Sequence, residues 1–358
     1  MRMPLRALIL FGLLAASCTA PVGPPAVASP TASTSGSPCI GPCGGATGSV
    51  TSAPVRYTAQ DLFQLQIQPT AIAADAAQVY VAEVALGAKP QGTLSKVVMV
   101  SANGGTPATV PGSETPAGVS ISGLATHDGA LYLSQGSNDS TRLNGVFRLS
   151  SGIVTPVAGG PGAPTDLSQG NGDGGPALSA VLQGPAAIAF SRAGDLYIAE
   201  AGDSRIRLVR GQTITTYAGG NGCGDIDAPP TGAATAAKLC FVALIAVDSD
   251  GVLYAAQFAR AKWIARIDPS GAVSTISTSF AVTGLAIDAN GDLLAADATT
   301  DRIVRFPRAH PEQPDVMASD LVHVVALATA PDGSVYAGDW RDHPPTEAVT
   351  YRIRHLVR

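Results

Sequence analysis

The sequence predicts an all-β fold, a six-bladed β-propeller of four-stranded antiparallel blades that is closed by an N-terminal strand. A short apolar strand ending in an acid or an amide recurs six times, and a smaller apolar strand precedes each copy across a turn. Recurrence of this kind is typical of propellers and solenoids. The chain also has 40 Gly and 27 Pro but only 14% charged residues, which favours short strands and turns over long helices.

The recurring pattern is the second strand of each unit. Its six copies are QVYVAE (78–83), ALYLSQ (130–135), DLYIAE (195–200), VLYAAQ (252–257), DLLAAD (292–297) and SVYAGD (334–339). The first strands begin at Thr70, Ser122, Ala186, Ala243, Thr283 and Val325. Turns such as Asp250-Gly251 and Asn290-Gly291 join the two strands, because Gly accepts the positive φ of a tight hairpin.

A third strand and a shorter fourth strand complete each unit. The third strands read SKVVMV, GVFRLS, RIRLV, WIARID, RIVRF and YRIRHLV, and a fourth strand follows in the first five units. One such sheet cannot bury both of its faces, whereas six sheets packed around an axis can. Because the sixth unit lacks a fourth strand, we expect PVRYT (54–58) to supply it and to close the ring.

The third unit carries a family resemblance. Its sequence, GDGGPALSAVLQGPAAIAFSRAGDLYIAEAGDSRIRLV (172–209), resembles an NHL repeat in its GDGGPA lead-in, its acid-ended second strand and its Ser-Arg-Ile-Arg third strand. The resemblance extends over the chain from about Val55 onward and implies a six-bladed propeller. It leaves function open, since propellers of this kind include both binding modules and enzymes.

The N-terminal region predicts export and a lipid anchor. Residues 1–17 read as a signal peptide, and Leu14-Ala15-Ala16-Ser17-Cys18 resembles the bacterial lipobox, in which the cysteine is lipidated. The alternative is an ordinary secretory signal. Residues 18–52, rich in Pro, Ser, Thr and Gly, read as a flexible tether to a propeller domain at 53–358. Since Thr19 replaces the Asp that favours retention at an inner membrane, we expect the bacterial outer membrane.

Four further cysteines fit an exported protein. Cys223 and Cys240 flank one loop and form our first disulfide candidate, and Cys39 and Cys43 are candidates for a small ring within the tether. Four cysteines allow three pairings. The alternative for Cys240, which stands beside Phe241, is an unpaired buried residue.

The residues that end the second strands allow two interpretations. They are Glu83, Gln135, Glu200, Gln257, Asp297 and Asp339. One interpretation is a ring of oxygen ligands for a divalent cation. The interpretation that we favour is structural, with each side chain accepting hydrogen bonds from the loop before its own third strand. A residue type present in every unit belongs to the construction of the unit, whereas a catalytic site breaks the symmetry.

The sequence offers no catalytic residue. In propeller lyases, histidines come from the neighbourhood of the first-strand starts, and here only His323 lies near such a position. One imidazole is neither a metal site nor an acid–base pair, so we expect His323 to be a polar residue at the channel mouth.

The third strands carry Arg205, Arg207, Arg266, Arg302, Arg305, Arg352 and Arg354, which we interpret as solvated or as partners of the repeat carboxylates. Since the net charge is −5, we expect no nucleic-acid partner.

Two long loops are the candidate binding elements. Loop 159–183 carries Asp166, Asn171 and Asp173, and loop 219–239 carries Asn221, Asp225 and Asp227. Both loops precede a first strand and should emerge on one rim. Their oxygens could hold Ca²⁺, the one cofactor that we consider. They could also form Asx turns without an ion, and we favour this second interpretation.

The sequence thus predicts a lipid-anchored binding scaffold that binds a protein or glycan partner. The alternative is a metal-dependent propeller enzyme of the lactonase or lyase type.

Overall fold

A computed structural model of the protein describes residues 56–65, 67–85, 94–116, 118–137, 144–159, 171–225, 227–260, 262–297, 299–340 and 350–358. The chain separates into the units Met1–Thr51 and Ser52–Arg358, and the described residues belong to the second. The signal peptide, the tether, Cys18, Cys39, Cys43 and Asp166 lie outside the described residues. Within these described ranges, no helix has the length and apolar composition needed to cross a membrane.

The described residues form six antiparallel sheets, and each sheet contains the four strands of one blade. Strand β1 (Thr58–Leu65) comes first in the chain and belongs to the sixth blade. Blade 1 contains β2 (Pro69–Ala74), β3 (Gln78–Ala85), β4 (Leu94–Ser101) and β5 (Ala108–Thr109). Blade 2 contains β6 (Val119–His127), β7 (Ala130–Ser137), β8 (Gly145–Ser150) and β9 (Ile153–Gly159). Blade 3 contains β10 (Pro185–Phe190), β11 (Leu196–Glu200), β12 (Arg205–Arg210) and β13 (Thr213–Gly219).

The second half of the ring repeats this order. Blade 4 contains β15 (Val242–Val247), β16 (Leu253–Gln257), β17 (Trp263–Ile267) and β18 (Ala272–Ser277), with a short edge strand, β14 (Gly232–Ala233), on β18. Blade 5 contains β19 (Val282–Ile287), β20 (Leu293–Asp297), β21 (Arg302–Phe306) and β22 (Asp315–Ala318). Blade 6 contains β23 (Ala326–Thr329), β24 (Val335–Trp340) and β25 (Tyr351–Val357), with β1 as its outer strand.

The first strands of the blades surround the axis. They are neighbours in the order β2, β6, β10, β15, β19 and β23, and β23 lies beside β2. Small residues allow this close approach: a Cβ on Gly123 would lie 2.9 Å from the Cα of Ala187 in the next blade. Threonine hydroxyls join neighbouring strands, since Thr70 donates to the Ile121 carbonyl at 2.9 Å and Thr283 donates to the Val324 carbonyl at 2.5 Å.

The core lies between the blades rather than at one centre. The buried apolar residues described form six clusters, each shared by two neighbouring blades. Alternation along the strands explains this, because successive side chains of a strand point to opposite faces of its sheet. Each blade therefore buries one face against the blade before it and the other against the blade after it.

The outer strand of blade 6 comes from the N-terminal side of the domain, but not from the segment that the sequence suggested. β1 pairs antiparallel with β25 from Thr58↔Val357 to Leu65↔Tyr351, with a register shift between Asp61 and Phe63. The prediction of PVRYT (54–58) was wrong: Arg56 and Tyr57 precede the strand, and residues 54 and 55 lie outside the described range. The strand begins later because the apolar residues buried against the blades are Ala59, Phe63 and Leu65.

The two long loops cross the outer edge of the blades that they enter. Before blade 3, the chain forms a 3₁₀ helix at Ala177–Ser179, and the Ala177 amide donates to the Gln212 carbonyl at 2.7 Å. Before blade 4, β14 and a 3₁₀ helix at Ala234–Ala236 occupy the same place. The Ala234 amide donates to the Gly271 carbonyl at 2.7 Å. Each loop is thus held against the outermost strand of its own blade before the first strand begins.

Candidate functional site

The acids and amides that end the second strands lie beside the starts of the first strands. Pairs such as Pro185↔Glu200 and Val282↔Asp297 show this register. Gln135 is half-buried, and the other five are buried: Glu83, Glu200, Gln257, Asp297 and Asp339. Because a buried carboxylate needs hydrogen-bond or charge partners, the partners of each acid decide between a structural and a ligand-binding role.

In blade 3, Glu200 is bound from two directions. Its Oε1 accepts a hydrogen bond from the Gln183 amide at 2.6 Å, and its Oε2 lies 3.4 Å from Nη1 of Arg207. The same guanidinium donates from Nη2 to Asp173 at 2.8 Å and to the Asn171 carbonyl at 3.2 Å. Burial raises the pKa of Glu200 to about 7, against the opposing effects of Arg207 and the Gln183 amide. Glu200, Arg207 and Asp173 therefore form a triad that fastens the loop of 171–183 to blade 3.

Blade 6 contains a second triad of the same construction. Arg354 occupies the strand position of Arg207 and lies 3.3 Å from Oδ2 of Asp339 and 2.9 Å from Oδ1 of Asp61. Arg352 adds a hydrogen bond of 2.6 Å to Asp339. Burial raises the pKa of Asp339, and Arg352 and Arg354 oppose the rise. Since Asp61 belongs to β1, this triad fastens the added outer strand to its blade.

The two triads depart from the sixfold symmetry. In the other blades, the strand position of Arg207 and Arg354 is apolar: it is filled by Val98, Phe147, Ala265 and Val304. Of the two interpretations of these arginines, Arg207 and Arg354 confirm the second, as partners of repeat carboxylates: both side chains are buried and lie beside Glu200 and Asp339. Both triads occur at the outer edge of a blade, where a distant part of the chain covers that edge: the loop of 171–183 in blade 3 and β1 in blade 6. The buried arginine joins an acid of the second strand to an acid of the covering segment.

Asp297 confirms the structural interpretation in the predicted form, whereas Glu83 takes a partner on its third strand. The predicted loop was wrong for Glu200 and Asp339, which accept from the Gln183 and Val322 backbone amides before the first strands. Asp297 accepts hydrogen bonds from the Thr299 amide at 2.8 Å and the Thr300 amide at 3.2 Å, in the loop before its own third strand. Glu83 lies 3.6 Å from the ammonium of Lys96 on the neighbouring strand, and burial raises its pKa while Lys96 opposes the rise. The carboxylates are thus engaged within their own blades.

These side chains do not fit a divalent cation. Ca²⁺ takes six to eight oxygen ligands, whereas the oxygens of Glu200, Asp297 and Asp339 face amide and guanidinium donors. Among the described residues, no group of three or more His, Cys, Asp or Glu side chains could hold a metal ion.

The rim-loop residues serve different purposes. Asp173 accepts from Arg207, and its amide donates to Oδ1 of Asn171 at 3.0 Å, which forms an Asx turn. In the second loop, the Asp227 amide donates to Oδ1 of Asp225 at 3.1 Å, and both of these carboxylates are exposed. Asn221 donates to the Thr235 carbonyl at 2.5 Å and joins the two ends of the loop.

A disulfide joins the same loop to the start of blade 4. Cys223 is bonded to Cys240, and their Cα atoms lie 4.5 Å apart. Cys240 is buried, and the amide of the next residue, Phe241, donates to Oγ of Ser204 in blade 3 at 3.1 Å. The loop between the cysteines is therefore attached at its base to two blades.

His323 lies at the link between blades 5 and 6. Its imidazole is exposed and packs edge-on against Trp340, with ring centroids 5.3 Å apart. Its backbone amide donates to Asp301 at 2.7 Å. The first-strand starts Ser122, Ala186, Ala243 and Val325 are half-buried, so the strand ends around the axis present small side chains.

Comparison with known proteins supports the fold. No family model matches the chain. Human Teneurin-4 is 33% identical over 90 residues, which are 24% of this chain and only 3% of that relative. The solved structure of a calcium-binding protein, regucalcin, from Agrobacterium tumefaciens has a TM-score of 0.53 at 14% identity, over 86% of this chain and 98% of that one. Virginiamycin B lyase from Staphylococcus aureus has a TM-score of 0.46 at 15% identity, over 85% and 99%. At these identities, the regucalcin similarity shows the β-propeller fold alone.

Proposed function

We propose that the protein is an exported, lipid-anchored β-propeller of the bacterial envelope that acts as a binding scaffold through its rim loops. The observation that carries the proposal is the loop before blade 4. Its base is held by Cys223–Cys240 and by the bond from Asn221 to Thr235, while Asp225 and Asp227 in the loop are exposed. An exposed acidic loop on a fixed base is suited to recognising a partner.

The physical reason is preorganisation. Binding by a mobile loop costs the conformational entropy of ordering it, and a loop that is already fixed avoids most of this cost. Recognition residues on loops that a rigid scaffold positions are a common arrangement in proteins. The two carboxylates favour a partner surface with basic groups or hydrogen-bond donors, as a protein or a glycan would offer.

The anchor is the second part of the proposal. Cys18 in its lipobox-like context would carry the lipid, and residues 18–52 would connect it to the propeller. Cys18→Ser should therefore move the protein from the membrane fraction to the soluble fraction and abolish labelling by a radioactive fatty acid. Retention of the variant in the membrane fraction would contradict the anchor.

Site-specific photo-crosslinking tests the binding surface. A photoreactive amino acid is placed in the full-length protein at Asp225, at Asp227 or, as a control, at Ser249, which is exposed in the turn at the opposite end of blade 4. We expect the two loop positions, but not Ser249, to give a discrete adduct in intact cells. Equal adducts from all three positions, or none from the loop, would contradict the proposal.

A further inference from the structure

A cleft lies between blades 2 and 3, at the end of the blades that carries the turns after their first strands. It has a volume of about 410 Å³. Its floor is apolar and consists of Val157, Leu196 and Val209, which continue the core between the two blades. Its walls are polar and aromatic: His127, Asp128, Tyr132, Phe190 and Arg192. The lining exposes more polar than apolar surface, and a volume of this size accommodates a single-ring ligand.

His127 occupies a position whose side chain stabilises a turn in four of the other blades; in blade 6 the position is Ala330. In the corresponding place, Asp75, Asp248 and Asp288 each accept hydrogen bonds from two backbone amides of their own turn, and Ser191 accepts one. Blade 2 instead makes a two-residue turn, with φ of 47° at Asp128 and 66° at Gly129. Such a turn closes without a side-chain cap. The imidazole consequently accepts no hydrogen bond from the turn amides in the way that the aspartates do, and it lines the cleft.

Two aromatic rings, Tyr132 and Phe190, meet His127 at this junction. The imidazole stacks on Phe190 with centroids 4.4 Å apart and planes 6° from parallel, and Tyr132 meets Phe190 edge-on at 4.6 Å. The strand position of Phe190 holds smaller or aliphatic residues elsewhere: Ala74, Thr126, Val247, Ile287 and Thr329. The rings form a wall against which another planar group can pack.

The charged side chains of the cleft favour a ligand that carries a carboxylate. The carboxylate of Asp128 is paired with His127, since it lies 3.3 Å from Nε2 of that residue. Arg192 is exposed at the wall of the cleft and has no acidic partner among the described residues. A guanidinium binds a carboxylate with two parallel hydrogen bonds.

We propose that this cleft binds a small aromatic carboxylate. The ring packs against His127, Tyr132 and Phe190, and the carboxylate pairs with Arg192. This site is distinct from the rim loops, so it stands or falls independently of the proposed scaffold function.

The test is calorimetric titration of the full-length protein with benzoate and phenylacetate. Benzamide and benzylamine serve as neutral and cationic probes with the same ring. We expect both carboxylates to bind saturably, benzamide to bind at least about tenfold more weakly, and benzylamine not to bind, as loss of one charge-assisted pair predicts. Absence of binding by both carboxylates would overturn the proposal, and so would equal binding of benzoate and benzamide.

Two variants test whether the ligand binds in this cleft. Arg192→Gln should weaken benzoate binding about tenfold, and Phe190→Leu should weaken it by a similar factor through loss of ring contact. The matched control is Arg260→Gln, which removes an exposed arginine on the opposite face and should leave the affinity unchanged. Melting curves verify that each variant is folded. Benzoate affinity that Arg192→Gln leaves intact, or that Arg260→Gln reduces equally, would overturn the assignment of the site.

Discussion

Glu200→Gln should remove part of the pH dependence of folding. The carboxyl is fully buried between the Gln183 amide and Arg207, and burial raises its pKa from 4.5 to about 7. An acid whose pKa is higher in the folded state binds its proton more tightly there than in the unfolded chain. Its contribution to stability is therefore fully present below pH 4.5 and is lost as the pH rises through about 7.

The magnitude follows from the two pKa values. Between about pH 5 and about pH 8, the Glu200 contribution to the free energy of unfolding falls by about 2–3 kcal/mol. Glutamine keeps an oxygen that can accept from the Gln183 amide but has no proton to lose. The stability of the variant relative to the wild type should thus rise by about 2–3 kcal/mol across this range.

Urea unfolding of the full-length protein at both pH values measures this difference. Glu114→Gln, which changes an exposed glutamate, is the control and should leave the pH dependence unchanged. The reasoning would be refuted if Glu200→Gln and the wild type lost stability in parallel from about pH 5 to about pH 8.

Three further predictions concern stability. Arg207→Met leaves two acids of the blade 3 triad without their cation and should cost about 3–5 kcal/mol in urea unfolding; a loss below about 1 kcal/mol would mean that the triad is not formed. Replacing both Cys223 and Cys240 by serine should cost about 3 kcal/mol, because the disulfide closes a loop with a sequence separation of 17; an unchanged melting temperature would argue against the pairing. Gly123→Ala should cost about 1–3 kcal/mol because its Cβ would lie 2.9 Å from the next blade, whereas Gly136→Ala, with no neighbour closer than 3.8 Å, should be nearly neutral.

The blade strands could be predicted from the sequence because they follow a local pattern. Alternation of apolar residues, a terminal acid and a Gly-containing turn are all read within a few residues. The starting point of β1 could not be read in this way. Its position depends on pairing with β25, at the other end of the domain, which runs from Thr58↔Val357 to Leu65↔Tyr351.

The triads and the cleft depend on contacts between distant residues. Asp61 and Arg354 stand near opposite ends of the domain, and only the pairing of β1 with β25 brings them together. The Arg-Ile-Arg pattern shared by the third strands of blades 3 and 6 was the one available signal. The sequence shows His127 at the repeat position of Asp248 and Asp288, but the role of those aspartates in the turn appears only in their hydrogen bonds.

The central claim is that the carboxylates of the repeat bind groups of the protein itself rather than a metal ion. Elemental analysis of the full-length protein, combined with melting curves before and after EDTA treatment, tests it most directly. The account predicts no stoichiometric divalent metal and an unchanged melting temperature. A stoichiometric Ca²⁺ whose removal lowers the melting temperature by several degrees would contradict it.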